Sequence, residues 1–140
     1  MHRVFVYGTL KRGFPNFDAG MRTALYRGRC RTKERFPLVI AGPWHTPCLI
    51  DEPGAGFQVL GELYDVTNAC LEVLDRIEHV GLPNGYHRRE VVVSMAEGDG
   101  DAWIYLRARA TLGDIHSGPM EEYALDPDYI EPGDPRRQSA

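Results

Sequence analysis

The sequence predicts an α+β domain in which one main helix packs on a small antiparallel or mixed sheet. Three observations carry this. One long segment, opened by Thr67, has the 3.6-residue apolar repeat of an amphipathic helix. About six short runs rich in β-branched and aromatic residues surround it, punctuated by Gly, Pro, Asn and Asp. The connections between these runs are short, which favours neighbouring strands over long crossovers. The residue patterns by themselves are equally compatible with a closed barrel and an open sheet.

The first strand is Val4, Phe5, Val6 and Tyr7, an apolar run suited to burial. It stops at Gly8 and continues through Thr9 and Leu10 to a second glycine, Gly13. A strand ending in such a loop frees main-chain N–H groups, and Gly8 has no Cβ to bar a ligand. The loop therefore reads either as an anion cradle or as a plain turn. In both readings Lys11 and Arg12 are solvated. A cradle predicts that Gly8→Val abolishes anion binding, whereas Lys11→Ala weakens it only modestly.

Residues 17–25 read as a short helix, 26–35 as a strand, and 36–42 as a second strand begun at Pro37 and closed by Gly42. Residues 42–56 carry Pro43, Pro47, Pro53, Gly54 and Gly56, so they are expected to be irregular, with a short strand near 48–50. Trp44 in this loop either covers a pocket or packs the loop on the core. Residues 58–66 form the clearest mid-chain strand, with Glu62 on the face of Leu60 and Tyr64. That face is either core, with Glu62 a buried carboxylate in need of a partner, or solvated.

Thr67 then caps a helix running to about Glu78, with Cys70, Leu71, Val73, Leu74 and Ile77 on its apolar side. A turn at 81–85 leads into two strands, 86–95 and 101–108, joined by a turn at 97–100. The chain from Asp126 is rich in Pro and Asp and reads as an irregular tail, disordered at 136–140. One domain over 1–125 followed by this tail is the expected organisation.

Composition narrows the function. A length of 140 residues allows a real core without staples. A net charge of −4 argues against a nucleic-acid footprint. Arg27, Arg29, Arg31, Lys33 and Arg35 alternate, so a strand places all five on one face, either solvated or drawing in an acidic substrate. There is no membrane-length apolar run and no signal-peptide pattern, so a cytoplasmic protein without a membrane partner is expected. Three widely spaced cysteines suit reduced thiols, and five histidines lack metal-ligand spacing, so no metal or cofactor is expected. No feature of the sequence sets an oligomeric state, and a monomer is the default.

Glu78 breaks the helix pattern. It follows Leu74 and Leu71 by four and seven residues, bordering the apolar stripe, and it sits where the helix dipole opposes an anion. Both effects raise a carboxyl pKa towards the range of a neutral-pH acid/base. The plainer reading is a terminal Glu reaching water. His79 and His87 show no orienting partner, and the cysteines show no nucleophile context.

The run Val6-Tyr7-Gly8-Thr9-Leu10-Lys11-Arg12-Gly13 resembles the opening of the γ-glutamylcyclotransferase-like superfamily, nearest its γ-glutamylamine branch. The likeness continues in order through Pro37 to Gly42, Gly61-Glu62-Leu63-Tyr64, Leu74-Asp75 with Glu78, Tyr86 with Arg88, and Tyr105. The resemblance implies a compact α+β barrel with a pocket at one mouth. It implies cyclisation of a small-molecule γ-glutamyl amine to 5-oxoproline and free amine, without a cofactor. Glu78 matches the catalytic acid/base, and Asp75 reads as structural. The backbone of Tyr7, Gly8, Thr9 and Leu10 resembles the head-group cradle, with Tyr86, Arg88 and Tyr105 as further substrate-binding candidates. The 81–85 loop and the tail depart most, which leaves the leaving amine undefined. Two alternatives stand beside this: a non-catalytic module that binds γ-glutamyl compounds or 5-oxoproline, and a tailoring enzyme removing a γ-glutamyl protecting group from a natural product.

Overall fold

The computed structural model describes residues 1–137. Five strands close into a barrel: β1 (His2–Val6), β2 (Leu25–Phe36), β5 (Phe57–Val66), β6 (His87–Met95) and β7 (Gly98–Leu106), in the order β1-β5-β2-β6-β7. All pairs are antiparallel except β1 with β7, where Val4 opposes Trp103 in parallel and closes the ring. Two short strands, β3 (Leu38–Ala41) and β4 (Thr46–Leu49), form a separate hairpin. A four-residue helix, α1 (Phe17–Gly20), and the main helix, α2 (Asn68–Ile77), pack together on the outside.

From Val4 onward β1 is apolar because it is buried on both faces, whereas His2 and Arg3 at its start are partly exposed. Phe5 and Tyr7 point into the barrel with Phe36, Val59, Leu63, Val93, Ile104 and Leu106. Val4 and Val6 face outward beneath α2, against Leu71, Leu74, Met21 and Tyr64. A strand between two cores cannot alternate apolar with polar, and this one does not. Helix α2 starts as expected, with the Thr67 hydroxyl accepting the Cys70 N–H at 3.1 Å.

β2 keeps its long ladder through two irregularities, one at Gly28, where φ is +122°. At the second, the buried Thr32 hydroxyl accepts the Val59 N–H at 2.9 Å and donates to the Glu34 carbonyl at 2.6 Å. The basic residues of this strand all lie on the outer face. Arg27 pairs with Asp65, Arg29 with Glu122 and Lys33 with Asp99.

Three expectations are corrected. The β6–β7 turn is Ala96 and Glu97, since Met95 already pairs with Gly98 and Ser94 with Asp99. Glycine-rich composition suggested a turn further on, but cross-strand pairing takes Gly98 and Gly100 into β7. Lys11 is not solvated: it is 6% exposed and its Nζ donates to the Tyr123 carbonyl at 2.6 Å. The tail, expected to be irregular and disordered at 136–140, is tied down over its described length. The Ile130 N–H meets the Trp44 carbonyl, and Pro135–Arg137 form a 3-10 turn, while 138–140 lie outside the described residues. No helix among the described residues is long and apolar enough to cross a membrane.

Candidate active site

A cavity of about 370 Å³ opens where the end of β1, the end of α2 and the last turns of the chain converge. Its first wall is the loop after β1. The Lys11 N–H closes a turn onto the Gly8 carbonyl, and the Asn16 N–H onto the Thr9 carbonyl. The amides of Gly8, Thr9 and Leu10 have no protein acceptor among the described residues. Gly8 matters here for a reason the sequence did not reveal: a Cβ on it would lie 2.9 Å from the Pro47 ring. The missing side chain makes room for β4, and the cavity wall is built from both.

Glu62 does not line this cavity. It sits on the outer face of β5, where Oε1 accepts the Arg12 N–H at 2.8 Å and the Tyr64 hydroxyl at 3.0 Å. It fastens the loop from behind, and Arg12, exposed as expected, lies over the Tyr26 ring.

Glu78 stands at the C-cap of α2, followed by His79 at φ +54°. The His79 N–H bonds to the Arg76 carbonyl and the Val80 N–H to the Asp75 carbonyl, the double closure of a Schellman end with His in the position usually held by Gly. The Tyr86 N–H then returns to the Glu78 carbonyl at 3.0 Å. The helix end and the 81–85 loop thus fix one another, with the Glu78 side chain in the cavity wall. Its carboxyl has no hydrogen-bond partner among the described residues. Burial pushes its pKa up to about 7, against the opposing pull of Arg107. It is the one carboxyl in the cavity lining among the described residues.

Four tyrosines line the same space, and in three of them, Tyr7, Tyr86 and Tyr105, the hydroxyl proton is already committed. Tyr7 donates to the Tyr105 carbonyl at 2.6 Å, Tyr86 to the Pro47 carbonyl at 2.9 Å, and Tyr105 to Asp75 at 2.8 Å. Burial raises the pKa of all three, so they remain neutral phenols. A ligand therefore meets their oxygens as acceptors, and finds its donors in the loop amides. Arg88, expected at the site, lies outside the lining. Its guanidinium forms a bidentate pair with Asp75 at 2.9 and 3.2 Å and lies over the Trp103 ring. Asp75 is structural as read, holding Arg88 and Tyr105 together.

Several lining residues escaped sequence reading. Arg107 donates to the Thr111 carbonyl at 2.5 Å, while its buried Nε has no hydrogen-bond partner among the described residues. Pro47 and Trp44 come from the Pro-rich loop, and Tyr129, Pro132 and Arg137 from the tail. Only Trp44 carried a signal, an aromatic in an irregular loop. His79 borders the cavity, whereas His87 pairs with Asp51 at 2.8 Å outside it. The three cysteines are free and buried. His45, Asp126 and Asp128 bring ligand atoms within 4.8 Å of one another, a grouping not evident from sequence spacing.

A small barrel whose cavity holds one near-neutral carboxyl, free main-chain donors and neutral phenol acceptors has the groups that proton transfer on a small zwitterionic or anionic substrate would require. A family model described as gamma-glutamyl cyclotransferase, AIG2-like, matches residues 4–125, and the chain belongs to that family. It is 45% identical over 104 residues to the gamma-glutamylaminecyclotransferase of Rattus norvegicus, spanning 71% of this chain and 68% of that one. It is 37% identical over 126 residues to the enzyme of the same name from Bos taurus, spanning 86% and 74%. The crystal structure of an AIG2-like protein from Mus musculus superposes with a TM-score of 0.80 at 34% identity, covering 94% of this chain and 96% of that one.

Proposed function

We propose that this protein is a cytoplasmic γ-glutamylamine cyclotransferase, with residues 1–125 as its catalytic domain. The observation that carries the reading is the Glu78 carboxyl, unpartnered in the cavity wall and titrating near neutrality. In the reaction, the substrate's α-amine attacks its own γ-carbonyl, a five-membered ring closes, and the C–N bond to the leaving amine breaks. Glu78 takes a proton from the α-ammonium, so that the nitrogen becomes nucleophilic, and then delivers it to the departing amine, while the ring nitrogen sheds its second proton to solvent as the lactam forms. Ring closure is intramolecular, so holding the substrate bent removes much of the entropic barrier.

The donors and acceptors of the cavity sort onto this substrate. The amides of Gly8, Thr9 and Leu10 suit a carboxylate or the oxyanion at the γ-carbon. The hydroxyl oxygens of Tyr7, Tyr86 and Tyr105 suit the α-ammonium. Arg107 supplies fixed positive charge beside Glu78 without neutralising it.

The test is release of 5-oxoproline from γ-glutamyl-ε-lysine and a set of simple γ-glutamyl amides. Product from at least one is expected, and none from any would end the reading. A γ-glutamyl compound that raised Tm without being consumed would point instead to a binding module. Glu78→Gln should lower kcat by at least about 100-fold while leaving KM within a few-fold, because it keeps the shape and loses the titrating group.

A further inference from the structure

The family match ends at residue 125, yet the chain beyond it builds part of the cavity wall. Residues 126–137 are tied down from two sides. The Ile130 N–H meets the Trp44 carbonyl at 3.0 Å, and the Tyr129 hydroxyl accepts from Asn16 Nδ2, which also donates to Thr9 Oγ1 at 2.8 Å. The tail is thus linked to the same loop that offers the free amides. Tyr129 lies close enough to Glu78 for that carboxyl to raise its pKa, though burial contributes more.

Arg137 completes this wall. Its guanidinium lies 4.3 Å over the Trp44 ring, its Nε donates to the Ile130 carbonyl at 2.8 Å, and Nη2 reaches the Tyr129 hydroxyl at 3.4 Å. These contacts hold the plane of the group and leave Nη1 without a hydrogen-bond partner among the described residues. No carboxylate lies within ion-pair distance of Arg137 among the described residues, and the nearby Asp134 is engaged by Arg136. Arg76, His79 and Arg107 join it in the cavity lining, so beside Glu78 and the neutral phenols the ionisable side chains of the lining are all basic among the described residues.

Resting on the cyclotransferase reading, we propose that residues 126–137 form the leaving-amine subsite and that Arg137 selects leaving amines that carry a carboxylate. With the glutamyl head at the loop amides and its α-ammonium at Glu78, the γ-amide nitrogen and its substituent are left to the rest of the wall, one side of which is Tyr129, Pro132 and Arg137 of the tail. A guanidinium seated on an indole and fixed by two hydrogen bonds presents a pre-organised edge to a carboxylate and repels an ammonium. Neutral alkyl amines gain nothing from it, and diamines are disfavoured.

The test compares three γ-glutamyl amides of equal chain length: one ending in a carboxylate (5-aminopentanoate), one in a methyl group (pentylamine) and one in an ammonium (cadaverine). The wild-type protein should favour the carboxylate over the methyl amide by about tenfold in kcat/KM, the size of one charge-assisted hydrogen bond, with the ammonium amide the poorest. In Arg137→Gln that ratio should fall towards one, and Arg137→Lys should recover part of it. A wild-type ratio near one, or a ratio that survives Arg137→Gln, overturns the proposal. The wild-type ratio needs no variant, so a poorly folding Arg137→Gln does not shield the idea. Absence of 5-oxoproline from all three amides would instead count against the cyclotransferase reading itself.

Discussion

Glu78, the proposed acid/base, is costly to the fold. Its folded pKa, about 7, lies above the ordinary carboxyl value of 4.5. Below pH 4.5 it is protonated in both folded and unfolded chains and has no net effect. Between 4.5 and 7 the unfolded chain ionises first, so stability falls as pH rises, by on the order of 3 kcal/mol at completion. Above 7 the penalty is constant. Glu78→Gln removes it, so the variant should melt close to wild type at pH 4.5 and several degrees higher at pH 8. Thermal melts of both proteins across that range check this. A Tm difference that did not grow with pH would mean that the carboxyl is not held in a desolvated wall. The same carboxyl in water would cost nothing and would titrate too low for a neutral-pH acid/base, so the proposed role depends on burial.

At the scale of the element, the end of α2 and the loop that follows it form one device. Left-handed His79 turns the chain, the two Schellman bonds close the helix, and the Tyr86 N–H returns to the Glu78 carbonyl. Gly85 sits directly against this turn: a Cβ there would lie 2.0 Å from the His79 carbonyl oxygen. Backbone cannot yield as a flexible side chain would, so Gly85→Ala must push the loop away and release Tyr86 from Glu78. The expected result is a loss of about 1–3 kcal/mol in stability and a fall in kcat larger than any change in KM, because positioning rather than binding is disturbed. Urea titration and steady-state kinetics measure the two effects. Unaltered kcat would show that the Tyr86–Glu78 link does not position the carboxyl.

Across the whole molecule, the opening loop is gripped from three directions that are remote in the chain. Glu62 holds it from β5, Pro47 packs where Gly8 has no side chain, and Lys11 reaches through the core to the Tyr123 carbonyl. Lys11 also lies 4.4 Å from the Phe14 ring, and burial lowers its pKa. Lys11→Met keeps the length of the side chain and deletes the donor, leaving a buried carbonyl unsatisfied. A loss of about 1–3 kcal/mol is expected, with faster amide exchange around Tyr123 than in the barrel strands. Chemical denaturation with hydrogen exchange reads both, and a neutral Lys11→Met would return Lys11 to the solvated role that its sequence context suggested.

What the sequence determined by itself is local. The apolar run of β1, the Thr67 cap, the stripe of α2 and the misfit of Glu78 at its border all follow from periodicity and turn chemistry within a few residues. The resemblance carried by YGTL and the later motifs added the family. Barrel closure was not legible, because the pairing of Val4 with Trp103 joins strands from opposite ends of the chain and leaves no local pattern. The face taken by Glu62, the burial of Lys11, the diversion of Arg88 to Asp75 and the return of the tail over the mouth were decided in the same way. Each depends on which distant segment lies alongside, and a strand shifted by one residue exchanges its faces completely. Periodicity places a side chain on a face, and only the packed neighbour decides whether that face meets water, core or substrate.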